Sequence, residues 1–78
     1  MKNTIFVCES GWIIVGKVKE SGVTYVWLQD AYIVRCWNNG KGIGGLAKAK
    51  NKSEYTLDAL GDVEINSDKI LFKIPCEW

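Results

Sequence analysis

The residues best suited to chemistry in this chain surround a glycine-rich segment near its middle. Gly40, Gly42 and Gly45 have the spacing G-x-G-x-x-G, and Lys41 lies between the first two. Unobstructed backbone N–H groups together with a lysine can hold a phosphate group. The dinucleotide-binding fold that usually carries this spacing needs far more chain than 78 residues. A structural alternative stays open, in which the glycines supply positive φ in a turn and let a helix approach a sheet.

Aromatic and basic side chains flank this segment. Trp37 comes just before the glycines, and Arg35, two residues earlier, is expected on the same face of a strand. A tryptophan ring can stack on a base, and a guanidinium can pair with a phosphate. The alternative is that Trp37 closes one end of a barrel core. The candidate ligand-binding residues are Tyr32, Arg35, Trp37, Asn38, Gly40, Lys41, Gly42 and Lys48.

Catalysis is not indicated. The chain has no histidine, which removes the commonest general base and most catalytic zinc sites. We therefore expect no catalytic residues, no metal site, no cofactor and no enzymatic activity. The three cysteines have no C-x-x-C spacing, which favours reduced thiols in a cytoplasm. Cys8 and Cys36 lie in apolar runs, so both are expected to be buried.

Composition limits the protein class. The length predicts a single domain over residues 1–78, and 47% hydrophobic residues supply a core for it. A net charge of +1 argues against a binder of long duplex DNA. No apolar run approaches the about 18 residues of a membrane span, so no membrane contact is expected.

The pattern of apolar residues and turns predicts a mainly β (α+β) fold. Strands are expected over 4–9, 12–19, 23–28 and 31–37, and later over 55–60, 63–65 and 69–74. The short turns between the first four predict an antiparallel meander. A helix of about two turns should follow the fourth strand, with Lys48, Lys50 and Lys52 near its end. Several strands are apolar on both faces, which favours a small SH3-like curled sheet or barrel, oligomeric burial, or both.

Four short motifs follow one another along nearly the whole chain. They are Leu28-Gln29-Asp30-Ala31, Trp37 before the glycine-containing loop, Leu46-Ala47, and Ile74-Pro75-Cys76. Their order resembles a family of short, largely uncharacterised proteins encoded by tailed phages and prophages. Family members often have a second aromatic residue two positions before the loop tryptophan, where this chain has Arg35.

Small phage proteins of this kind are similar to immune-evasion sponges, which sequester cyclic nucleotide signals made by host CBASS or related defence systems. The resemblance implies a non-enzymatic homo-oligomer, with a tetramer favoured, in the host cell cytoplasm. It further implies a cyclic dinucleotide, such as 3'3'-cGAMP, held at subunit junctions. Two alternatives stay open: a module that inhibits a host protein through an apolar strand edge or face, and a weak binder of RNA or single-stranded DNA.

Overall fold

The computed structural model describes residues 2–38 and 40–78, and within them five strands form one antiparallel sheet. The strands are β1 (Asn3–Cys8), β2 (Ile13–Ser21), β3 (Tyr25–Trp37), β4 (Tyr55–Asn66) and β5 (Ile70–Pro75). A short helix, α1 (Gly42–Ala47), lies between β3 and β4, and single 3-10 turns cover Glu9–Gly11, Lys52–Glu54 and Ser67–Lys69. The order across the sheet is β4-β3-β2-β1-β5. The predicted mainly β fold with an antiparallel sheet is confirmed.

The third and fourth predicted strands are one continuous strand. The sequence predicted a tight connection at Gln29 and Asp30, but β3 runs through both residues. Asp30 has a φ of 51°, and the register with β4 shifts on either side of Ala31. The backbone N–H of Asp30 donates to Oδ1 of Asp62 at 3.3 Å. The extra residue of such a bulge bends a strand without ending it, so the chain changes direction here without forming a turn.

The same correction applies on the neighbouring strand. Separate strands were predicted over 55–60 and 63–65, yet β4 continues through Gly61, whose φ is 78°. The two bends lie side by side because Ala31 pairs with Gly61. The prediction of a four-stranded meander ahead of the helix is therefore wrong. Three strands precede α1.

Each face of the sheet carries its own apolar cluster. Successive residues of a strand point to opposite faces, and Ile5 and Phe6 of β1 belong to different clusters. The first cluster contains Ile5, Val15, Val34, Leu46, Ala47 and Cys76, and α1 packs over it. The second contains Phe6, Cys8, Val26, Leu28, Ala31 and Ile65, all from strands. One face is thus covered by the helix and the C-terminal segment, and the other by the curl of the sheet itself.

Gly16 of β2 permits this curl. A Cβ atom at Gly16 would lie 3.1 Å from the Cβ and 3.2 Å from the Cα of Ala31, and 3.3 Å from the Cβ of Leu28. Most side chains do not fit into such a space, so a glycine lets the bent part of β3 lie directly on β2. Leu28 and Phe6 are each 0% exposed beneath the curl. Burying a side chain of this size contributes about 1.5 to 3 kcal/mol.

The C-terminal segment holds α1 against the sheet. The backbone N–H of Glu77 donates to the carbonyl oxygen of Ala47 at 2.9 Å. The backbone N–H of Cys76 donates to the backbone carbonyl oxygen of Asn3 at 3.1 Å. The ring of Trp78 stacks on Tyr55 with 4.2 Å between ring centroids and an interplanar angle of 10°. A six-residue helix is unstable alone, so these contacts and the burial of Leu46 stabilise it.

Candidate functional site

A concavity lies beside α1 and the loop that follows it. Its volume is about 560 Å³. We call it the lysine groove, and it is lined by Lys41, Gly44, Gly45, Lys48, Lys50, Asn51 and Glu54. Three ammonium groups and one carboxylate give this lining a formal charge of +3 − 1 = +2. Such a surface favours an anionic ligand.

The backbone around the groove is fixed by local hydrogen bonds. Gly40 and Gly42 have φ values of 72° and 68°, in the left-handed region that glycine adopts without strain. This geometry agrees with their structural interpretation as turn glycines. Gly40 lies in the exposed chain that leads into α1, and Gly42 is the exposed first residue of α1. At the other end of the helix, the backbone N–H of Lys48 donates to Gly45 at 3.2 Å.

Glu54 organises the far wall of the groove. Its carboxylate oxygen Oε2 accepts hydrogen bonds from the backbone N–H groups of Lys50 and Asn51, each at 3.0 Å. Its backbone carbonyl oxygen also accepts from the N–H of Asn38 at 2.9 Å. Glu54 therefore ties the loop after α1 to the loop before it, and this holds Lys50 at the groove.

Of the predicted ligand-binding residues, Lys41 and Lys48 line the lysine groove. The helix ends at Ala47, so Lys48 is its C-cap, while Lys50 and Lys52 lie beyond it rather than in its last turn. Gly44 and Asn51 were not predicted as site residues, and neither was Glu54. A signal for Glu54 was present, because an asparagine followed three residues later by a glutamate is a capping-box pattern.

Trp37 contributes to the packing of the fold near the start of α1. Its side chain packs against the first apolar cluster, opposite Tyr55 on the neighbouring strand. Its indole N–H donates to the carbonyl oxygen of Gly42 at 2.7 Å. Tyr32 packs against the same cluster. Both rings are partly buried and pack against the apolar core, and neither lines the lysine groove.

Arg35 does not share a face with Trp37, and this prediction is wrong. The register between β3 and β4 shifts between Val34 and Cys36, which inserts an extra residue into β3. The bulge leaves Arg35 and Cys36 both exposed, while Trp37 returns to the side of Val34. Arg35 Nε lies 3.4 Å from Oδ2 of Asp58.

Because of the same bulge, one of the two cysteine predictions is wrong. Cys8 is buried as expected, but Cys36 is exposed, and the three thiols are free. Burial raises the pKa of the Cys8 thiol, and also that of Cys76. The pKa of Tyr55 is raised as well, first by burial and then by the negative charges of Cys76 and Glu54.

Two other kinds of feature are absent from residues 2–38 and 40–78. No group of three or more histidine, cysteine, aspartate or glutamate side chains is placed to hold a metal ion. In the same residues, no helix has the length and apolar character needed to cross a membrane.

No family model, curated protein or solved structure matches the chain.

Proposed function

We propose that the protein binds a small phosphate-bearing ligand in the lysine groove and sequesters it without cleaving it. The observation that carries this proposal is the convergence of Lys41, Lys48 and Lys50 on one concavity. Cyclic dinucleotides such as 3'3'-cGAMP are the ligand class to test first. Each carries two phosphates, so its charge of about −2 balances the formal +2 of the groove lining.

The size and floor of the groove support the same ligand class. A volume of about 560 Å³ falls within the range of about 300 to 1,000 Å³ found for small-molecule sites. Gly44 has no atom within 4 Å of the position where a Cβ would lie. A phosphate can therefore approach the backbone there without meeting a side chain.

The proposal includes a homo-oligomer, with a tetramer as the form to test first. The lysine groove of one copy is open to solvent, and a second copy over its mouth would bury more of the ligand. Both sheet edges, β4 and β5, offer backbone groups for pairing between copies. Since Trp37 and Tyr32 do not line the groove, the bases of the ligand would contact side chains at such a junction.

The biological setting in this proposal is that of a phage protein in the cytoplasm of its host. There it would lower the free concentration of a CBASS-type signal by binding it. The support is the resemblance of the sequence motifs to short phage proteins, together with the charge of the groove. The chain has no histidine, the commonest general base, and sequestration of a nucleotide requires none.

A second candidate function is inhibition of a host protein through a strand edge. The observation that favours it lies on β5, where Leu71 and Phe72 are 62% and 49% exposed. An exposed apolar edge strand can extend the sheet of another protein. In this case the lysine groove would have no nucleotide ligand.

Calorimetric titration with a panel of cyclic di- and trinucleotides tests the proposal, with light scattering on the same samples to measure mass. We expect submicromolar binding of one panel member by a defined oligomer. A silent panel would overturn the nucleotide proposal and favour the strand-edge function. Binding of RNA or single-stranded DNA with a steep salt dependence, and of no cyclic nucleotide, would overturn both.

A further inference from the structure

A second concavity lies beside Arg35 and shares no lining residue with the lysine groove. Its volume is about 440 Å³, and its lining includes Trp12, Ile33, Arg35 and Asp58. These residues come from the chain between β1 and β2, from β3 and from β4. The fold thus brings an aromatic ring, a guanidinium and a carboxylate from three separate segments to one place.

The position of Trp12 is set by a closed turn. The backbone N–H of Cys8 donates to the carbonyl oxygen of Trp12 at 2.8 Å. Within this turn Ser10 has a φ of 64°, a conformation that residues other than glycine adopt only with strain. Trp12 follows the turn and is 55% exposed. A large aromatic ring is thus held at the surface by a backbone that is itself fixed.

The ion pair beside this ring keeps spare hydrogen-bonding capacity. The side chains of Arg35 and Asp58 are 63% and 56% exposed, with 3.4 Å between Nε and Oδ2. A pair this exposed adds little to folding stability. A guanidinium has five N–H donors and a carboxylate has about four acceptor positions, so one contact leaves most of them available. The bulge in β3 turns Arg35 outward to this place.

We propose that this concavity binds a guanine base. Guanine offers two donors side by side, N1–H and the N2 amino group, which a carboxylate can accept together. Its O6 and N7 atoms are acceptors that suit a guanidinium. Asp58 and Arg35 supply this complementary pair, while the base stacks on Trp12. Adenine has no such pair of adjacent donors, so the same side chains select against it.

Guanosine, which has no phosphate, is the probe that separates this site from the lysine groove. The protein labelled with ¹⁵N is titrated with guanosine and, in parallel, with inosine, which lacks the N2 amino group. The readout is the indole N–H signal of Trp12, assigned by its loss in Trp12→Phe. The indole signals of Trp37 and Trp78 report folding, because both indoles donate to backbone carbonyls, at 2.7 and 2.8 Å.

We expect guanosine to shift the Trp12 signal and to bind about tenfold more tightly than inosine, as loss of one charge-assisted hydrogen bond implies. Asp58→Asn should remove the preference for guanosine. Trp12→Ala, followed through the backbone N–H signals of Ile33 and Arg35 in the same concavity, should weaken binding of both nucleosides about tenfold. Lys48→Gln, which changes only the lysine groove, should leave guanosine binding unchanged. The proposal is overturned if guanosine leaves the Trp12 signal in place, or if folded Asp58→Asn keeps the preference. Failure of the lysine groove to bind cyclic dinucleotides would not change either result.

Discussion

The indole N–H of Trp78 donates a hydrogen bond to the carbonyl oxygen of Leu46 at 2.8 Å, although the two residues are 32 positions apart. Leu46 of α1 is 0% exposed, and Trp78 also stacks on Tyr55. The backbone carbonyl of Trp78 accepts from the side chain of Asn3 at 2.7 Å. One residue therefore joins the helix, β4 and the start of β1. The helix in turn positions Lys41 and Lys48, so the lysine groove depends on this contact.

Trp78→Ala should lower the free energy of unfolding by about 2 to 3 kcal/mol, because a partly buried ring and a hydrogen bond are lost together. Trp78→Phe keeps a ring for the stack and loses the indole donor, so a loss of about 1 kcal/mol is expected. Urea denaturation followed by circular dichroism measures both. Trp12→Phe is the matched control, since Trp12 is 55% exposed. Equal stability of Trp78→Ala and the control would contradict this role.

Two glycine substitutions should have opposite effects on stability. In Gly16→Ala the new Cβ would lie 3.1 Å from the Cβ of Ala31, so overpacking should cost about 1 to 3 kcal/mol. In Gly44→Ala the new Cβ meets no atom within 4 Å, and the higher helix propensity of alanine should add up to about 1 kcal/mol. Thermal and urea unfolding of the two variants check this. A stable Gly16→Ala would mean that β3 does not lie so close to β2.

Gly44→Ala also tests whether the ligand approaches the helix backbone in the lysine groove. Its methyl group would occupy open space on the lining, where the ligand is proposed to approach the backbone. We expect binding of the cyclic dinucleotide to weaken about tenfold while stability is kept or raised. Calorimetric titration of this variant beside the wild type gives the result. Undiminished affinity would place the ligand away from the helix backbone.

The three thiols should differ in reactivity. Cys36 is exposed, whereas Cys8 and Cys76 are buried at 5% and 3% exposure. A thiol reagent should therefore modify one equivalent quickly in the native state and the other two only on unfolding. Mass spectrometry of the partly labelled protein identifies the modified residue. Rapid labelling of Cys8 in folded protein would contradict the buried position of β1.

Alkaline pH should destabilise the protein through the buried thiols. The pKa values of Cys8 and Cys76 are raised above the ordinary 9.0 by burial. As pH rises through 9.0, the unfolded thiols lose protons before the folded ones do. The folded state then binds more protons than the unfolded state. The stabilisation that comes from these two thiols is therefore fully present below pH 9 and is lost above it.

Urea midpoints between about pH 8 and about pH 10 measure this loss. Replacing Cys8 and Cys76 by alanine should reduce the pH dependence, and Cys36→Ala, which removes an exposed thiol, should leave it unchanged. A pH dependence that is the same in both variants would assign the effect to tyrosines instead.

Alternation of apolar and polar residues was enough to predict much of the sheet. It predicted a strand over 23–28, and β3 begins at Tyr25 within that range. Alternation fails at bulges, because one extra residue reverses the faces of all residues after it. The bulges beside Asp30 and between Val34 and Cys36 depend on pairing with β4, which the local sequence of β3 does not encode.

The candidate site was predicted in part for a related reason. Lys41 was identified because it lies among the glycines before the helix, and Lys48 because it lies near the end of the predicted helix; both are local patterns. Gly44 lies within the helix and Glu54 lies in the segment after it. Their positions in the lysine groove therefore depend on the three-dimensional path of the chain. Trp78 lies outside any periodic segment, so its contact with Leu46 follows from tertiary packing alone.

The most direct test of the central claim compares two lysine substitutions in one titration. Lys48→Gln removes a charge from the lysine groove, and Lys19→Gln removes the same charge from an exposed position on β2. With the cyclic dinucleotide that binds the wild type most tightly, we predict about fivefold to tenfold weaker binding for Lys48→Gln and no change for Lys19→Gln. Equal affinities of the two variants would contradict the claim that the lysine groove is the ligand site.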